Sequence, residues 1–188
     1  MKLKLVMSLL LGTVIALPAC TPLSNTTTVP ATPLTAAQAD TDAKILGAVA
    51  TLDQNEIAMA TVAQSKATNM AVRRFADWMY KQHSQNLQEI QSLSQRMGVM
   101  PKNGPVAIKL QHQGKRVLTA LRHANGMTFD RVYMSAMVKS HAEAVALLNG
   151  LIKVTANPML VKQLEVTRSH VMAHLQKAQA VQKEMGLA

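Results

Sequence analysis

A single cysteine in 188 residues leaves no partner for an internal disulfide, so oxidation cannot staple this chain and its fold must stand on packing. Aromatic residues make up only 3%. That disfavours a strand-rich core and removes the flat platforms on which nucleic-acid bases stack. The most apolar run, Leu5 to Ala16, is uncharged, but at about 12 residues it falls short of the roughly 20 that span a bilayer as a helix. Familiar catalytic spacings are also missing: a phosphate-cradling glycine loop, a Gly-x-Ser-x-Gly elbow and a His-Glu-x-x-His zinc motif. Acidic residues are scarce too, 10 against 20 Lys and Arg. Such an excess attracts polyanions without choosing among them. What the chain does have is 48% hydrophobic residues, dominated by aliphatic side chains and 13 methionines. That composition suits helices.

Lys2 and Lys4 precede the apolar run, which ends in Leu17-Pro18-Ala19-Cys20. A basic start, a short apolar core and a small residue before the cleavage point form a secretory leader, expected over residues 1–19. Leu17, Ala19 and Cys20 resemble the lipobox of bacterial lipoproteins, although Pro18 departs from its usual residue. By that resemblance Cys20 takes a diacylglycerol and becomes the new N-terminus. An ordinary cleaved leader with an incidental cysteine is the alternative. Thr21 follows where an acidic residue would signal inner-membrane retention, so the resemblance implies an outer-membrane lipoprotein in the cell envelope. Residues 20–40, uncharged up to Ala39 and rich in Thr and Pro, read as an extended tether. The folded domain is expected over 41–188.

Within that domain apolar residues recur at spacings of three and four, the mark of packed amphipathic helices. Four long segments follow, at about Asp42–Ala67, Met70–Met97, Thr128–Ala156 and Pro158–Met185. Between the second and third lies Gly98–Met127, with Gly98, Pro101, Gly104 and Pro105 and a shorter helix from about Val106 to His123. A connection that long can travel the length of a bundle. The expected fold class is therefore all-α, a ferritin-like four-helix bundle with a long crossover containing a shorter helix, running up, down, crossover, down, up. A simple up-down-up-down bundle is the alternative.

Each seam carries one ionisable residue near its middle: Glu56, His83, His141 and His174. Midpoints coincide in an antiparallel bundle, so the four are expected in one central layer. Buried polar groups are costly unless hydrogen-bonded or bound to metal. Three imidazoles and a carboxylate form a ligand set for one transition metal ion. A metal-free, hydrogen-bonded polar core is the other reading. Met59, Met79 and Met137 are expected in the adjacent layer as flexible core fillers, and His170, one turn before His174, lies off the seam.

The segments Asn55-Glu56-Ile57, Phe75-Ala76 through His83, Phe129-Asp130 with Tyr133 and His141, and His174, in that order, resemble the bacterial extracytoplasmic family catalogued as domain of unknown function 4142. The resemblance runs from about Ala43 to Met185 and implies a ferritin-like fold without an assigned activity. Ferritin-like di-iron sites need a glutamate from each of two helices and a Glu-x-x-His from each of the others. Here Tyr80 and Val171 stand where His83 and His174 would need those glutamates. One carboxylate of four is a poor match for two oxygen-seeking irons, so a di-iron centre is not expected.

No acidic residue occurs between Glu89 and Asp130. Lys109, Lys115, Arg116 and Arg122 in the crossover therefore form a candidate surface for anionic lipid or an envelope polymer, or a solvated helix face. Nucleic acid is not an expected partner. The expectation is an envelope lipoprotein, a binding module with a Glu/His layer, against two rivals: a mononuclear metalloenzyme at that layer, and a structural module docking through its basic crossover.

Overall fold

The computed structural model describes residues 34–186, so the proposed leader, Cys20 and the tether up to residue 33 lie outside the described residues. Five helices follow: α1 Ala36–Lys66, α2 Met70–Met97, α3 Pro105–His123, α4 Gly126–Val154 and α5 Pro158–Glu184. No strand occurs among the described residues. None of these helices is long and apolar enough to cross a membrane.

Local chemistry sets the boundaries. Thr35 accepts a hydrogen bond from the Gln38 backbone N–H, while the Gln38 side chain accepts from the Thr35 N–H. This reciprocal cap starts α1 at Ala36. The expected tether thus ends earlier than the composition suggested, because residues 36–40 are helical. Asn69 and Asn157 cap α2 and α5 through their side-chain oxygens. Gly98, at φ 64°, takes the left-handed conformation that ends α2, and Pro105 and Pro158 occupy the first turns of their helices.

Hydrogen bonds between the ends fix the directions of α1, α3 and α4. At one end of the bundle the α1–α2 turn donates to Asp130 near the start of α4, from the Thr68 N–H and hydroxyl and from the Asn69 N–H. At the other end Thr155, just after α4, donates to Asp42 near the start of α1 at 2.7 Å. The α4 helix therefore runs opposite to α1. The crossover starts beside the beginning of α1, where the Lys102 N–H donates to the Ala43 carbonyl at 2.8 Å. It finishes beside the end of α1, where the Lys66 ammonium donates to the carbonyls of Leu121 and Arg122.

Around the bundle α1 packs on α2, α2 on α5, α5 on α4 and α4 on α1, with α3 laid against α1 and α4. This is the crossover topology. An up-down-up-down bundle would instead pair α2 with α4. Two glycines admit the crossover. A Cβ at Gly47 would collide with the Lys102 carbonyl oxygen, and one at Gly114 with the Asn55 side chain, whose amide donates to the Leu110 carbonyl at 2.9 Å.

The core divides in two. One apolar cluster holds Met59, Val72, Phe75, Met79, Phe129, Tyr133, Met134 and Met137. The other holds Ile45, Leu46, Val49, Leu52, Ile90, Leu148, Leu160 and Leu164. Buried among the same helices are Asp53, Glu56, His83, Asn86, His141, Thr167 and His174, midway along their helices.

Candidate metal centre

The α2, α4 and α5 helices each turn one imidazole inward: His83, His141 and His174, all no more than 2% exposed. One ring nitrogen from each can be chosen so that all three lie within 4.8 Å of one another. The ring centroids are 5.0 to 5.8 Å apart. Helix geometry explains the convergence, since each histidine lies in register with the buried apolar positions three or four residues away on its own helix.

Hydrogen bonds decide which nitrogens are free. His141 Nδ1 lies 2.8 Å from the Met137 carbonyl. A carbonyl only accepts, so Nδ1 carries the hydrogen and Nε2 keeps its lone pair. His83 Nδ1 lies 2.8 Å from Asp53 Oδ1, and the other Asp53 oxygen accepts from the Asn86 amide at 2.8 Å. Asn86 is held in turn by Thr167, whose hydroxyl donates to its Oδ1 at 2.8 Å, and by Gln163 at 3.3 Å. Such a carboxylate behind an imidazole orients metal-ligating histidines. His174 has no hydrogen-bond partner at either ring nitrogen, and besides the two other imidazoles the Trp78 ring packs against it nearly perpendicular, at 4.6 Å between centroids. The free set is thus His83 Nε2, His141 Nε2 and both nitrogens of His174.

Burial keeps these rings neutral. It lowers the pKa of His83 and of His141, against the pull of the Glu56 charge, which favours their protonated forms. His174 is pushed down to about 2, by burial first and then by the neighbouring His83, His141 and His170. Burial pushes Asp53 well above the ordinary carboxylate range, and the hydrogen bond from Asn86 opposes it. One proton therefore lies between Asp53 and His83. A cation on His83 Nε2 would hold that proton on Nδ1 and leave Asp53 ionised.

Glu56, expected as the fourth ligand, is buried in the same layer but is not one of the converging groups. Its Oε1 accepts from the Ser140 hydroxyl at 3.1 Å, and Oε2 has no partner. The layer therefore offers three imidazoles, with the carboxylate standing outside them. The carboxylate that does touch an imidazole is Asp53, which sequence reasoning passed over. It lies on α1 next to Leu52 and one turn before Glu56, and the same polar bonds join it to Asn86, one turn after His83 and buried on the same face of α2.

Met59, Met79 and Met137 lie together in one apolar cluster as expected, and His170 is partly exposed. Lys109, Lys115, Arg116 and Arg122 are exposed along α3. None of them has an acidic partner within 4.0 Å among the described residues.

Comparison with curated proteins and with solved structures finds no match. A family model does match, over residues 27–181, which include every residue of the layer. The chain belongs to the family described as domain of unknown function (DUF4142).

Proposed function

We propose that this chain is an exported lipoprotein whose bundle holds one transition metal ion on His83, His141 and His174. The observation that carries the reading is three buried imidazoles on three different helices that converge closely enough to face one ion, each with a ring nitrogen that no protein group satisfies. A polar core that existed only for its hydrogen bonds would pair those nitrogens, because each orphaned buried group costs about 1–3 kcal/mol. Neutral imidazoles are ligands for zinc, copper, nickel or iron, and burial keeps all three rings neutral. Three protein ligands also leave a coordination position open. An ion held there would supply Lewis acidity, and Glu56, with a carboxylate oxygen that no protein group satisfies, is the base this chain places in the same layer. The mononuclear metalloenzyme reading rests on that open position. The donor set, dominated by nitrogen, does not fit a carboxylate-bridged di-iron pair.

Elemental analysis of protein purified without a metal-affinity tag tests the reading. One equivalent of a transition metal per chain is expected, falling to background in His83→Ala and in His141→Ala. Wild-type protein that takes up no metal after dialysis against zinc, copper, nickel or iron would sink it.

The envelope location rests on Cys20 and the leader before it. The unpaired cations of α3 favour a further contact of the anchored domain with anionic lipid or an envelope polymer. Cys20→Ser is expected to move the protein from the membrane fraction to the soluble one. Vesicles of anionic lipid should retain the soluble form at low salt, and Lys115→Ala with Arg116→Ala should weaken that retention. Unchanged fractionation, or retention indifferent to salt, would count against these two contacts respectively.

A further inference from the structure

The crossover roofs a cleft of about 640 Å³ between α1, α3 and α4. That volume is within the range of small-molecule sites. None of the three histidines lines it, so it is a separate feature from the imidazole cluster. Its walls are largely aliphatic, with Leu52, Met59, Leu110 and Leu147 among them. Two polar features break that lining. On the inner side is Glu56, only 5% exposed and with a carboxylate oxygen that no protein group satisfies. Around the exposed wall are Lys109, Arg116 and Lys139, opposed by Glu143 alone.

We infer that this cleft binds a small dipolar aliphatic molecule, with an ammonium or hydroxyl donor against Glu56 and a carboxylate or phosphate against Lys109, Arg116 and Lys139. A simple anionic amphiphile would set its tail on the Glu56 carboxylate. A simple cation would have to pass three positive side chains to reach it. A molecule with a donor at one end and an anion at the other satisfies both ends, while its aliphatic middle covers the apolar walls. The Glu56 carboxylate also accepts from Ser140, whose hydroxyl lies 3.3 Å from His141 Nδ1. An occupant is then two hydrogen-bonded residues from the imidazole cluster, although its binding does not depend on a metal.

Titration calorimetry with chelator-treated protein tests this, using as probes ω-aminoalkanoates of roughly four to ten carbons, plain alkanoates and plain alkylamines. At least one ω-aminoalkanoate is expected to bind saturably at one per chain, about tenfold or more tighter than the alkanoate and the alkylamine of equal length. Glu56→Gln keeps the shape of the side chain and should bring the ω-aminoalkanoate down to the level of the alkanoate. Lys109→Ala with Arg116→Ala should bring it down to the level of the alkylamine. His83→Ala should leave it unchanged, which separates this site from the proposed metal centre. Absence of saturable binding, affinities that follow chain length alone, or indifference to both the Glu56 and the Lys109/Arg116 variants would overturn the inference.

Discussion

Saturating the metal-free protein with zinc or another nitrogen-seeking divalent ion is expected to raise its melting temperature by about 5–10 °C. An ion that binds only the folded state at a hundred times its Kd stabilises by about 2.7 kcal/mol, and each kcal/mol moves the midpoint of a domain this size by about 2–4 °C. The imidazole nitrogens that would bind it have no protein hydrogen-bond partner, so binding would satisfy groups that are costly to bury unpaired. The shift should vanish in His141→Ala and in His174→Ala. Asp53→Asn preserves the shape behind His83 but removes the negative charge that faces Nδ1, and should weaken metal binding about 10–100-fold. At the metal concentration that saturates wild type, that variant should keep only a small part of the shift. Magnesium, which prefers oxygen ligands, should leave the midpoint where it is. Differential scanning fluorimetry with and without chelator reads all of these. Equal shifts in wild type and His141→Ala would place the binding elsewhere.

Acid is expected to weaken the metal-free bundle well above the range where ordinary carboxylates titrate. In the unfolded chain His83, His141 and His174 take up protons as pH falls through about 6.5, whereas in the fold all three pKa values are depressed, that of His174 to about 2. Between those limits the unfolded state holds more protons, so stability falls with falling pH, by up to about 1.4 kcal/mol per pH unit for each imidazole. The stability these groups contribute is thus complete above about pH 6.5. For His174 it continues to fall toward pH 2. Asp53 acts in the opposite sense, because its raised pKa makes the fold keep a proton that the unfolded chain releases above about 3.8. One carboxyl set against three imidazoles reduces the loss without reversing it.

From pH 7.5 to pH 5.0 each histidine can account for at most about 2 kcal/mol, in a domain whose whole stability is about 5–15 kcal/mol. Urea midpoints measured in chelator should therefore fall clearly over that interval. Adding the metal at pH 7.5 should steepen the dependence, since protons then compete with an ion for the same nitrogens. A midpoint equal at pH 7.5 and 5.0 would show that the rings are protonated in the fold and reach water.

Periodicity alone placed the helices well. The seams of α2 and α5 were readable because apolar residues recur over more than seven turns, and Asn69 and Gly98 cap the two ends of α2 while Asn157, with Pro158 in the first turn, marks the start of α5. The start of α1 was not readable in the same way. Residues 36–40 have no apolar stripe, and what makes them helical is a cap between Thr35 and Gln38 that composition conceals. His83, His141 and His174 were legible as a common layer for the same reason that the helices were. Each sits on its seam at mid-length.

Glu56 lies at the expected height, and its carboxylate meets the Ser140 hydroxyl rather than an imidazole. Height follows from sequence position, but whether a carboxylate reaches an imidazole depends on fractions of a helical turn and on which helix stands opposite. By that margin Ser140 receives Glu56 and His83 receives Asp53. The chain by itself thus determined four amphipathic helices, a long connection and a ring of polar residues at one level, because those follow from a repeat of three and four residues. Only the tertiary structure decided the pairing of α1 with α4 and of α2 with α5, the free nitrogens and the cleft beneath α3. Those depend on contacts between residues far apart in sequence, such as Thr68 with Asp130 and Gly47 with Lys102.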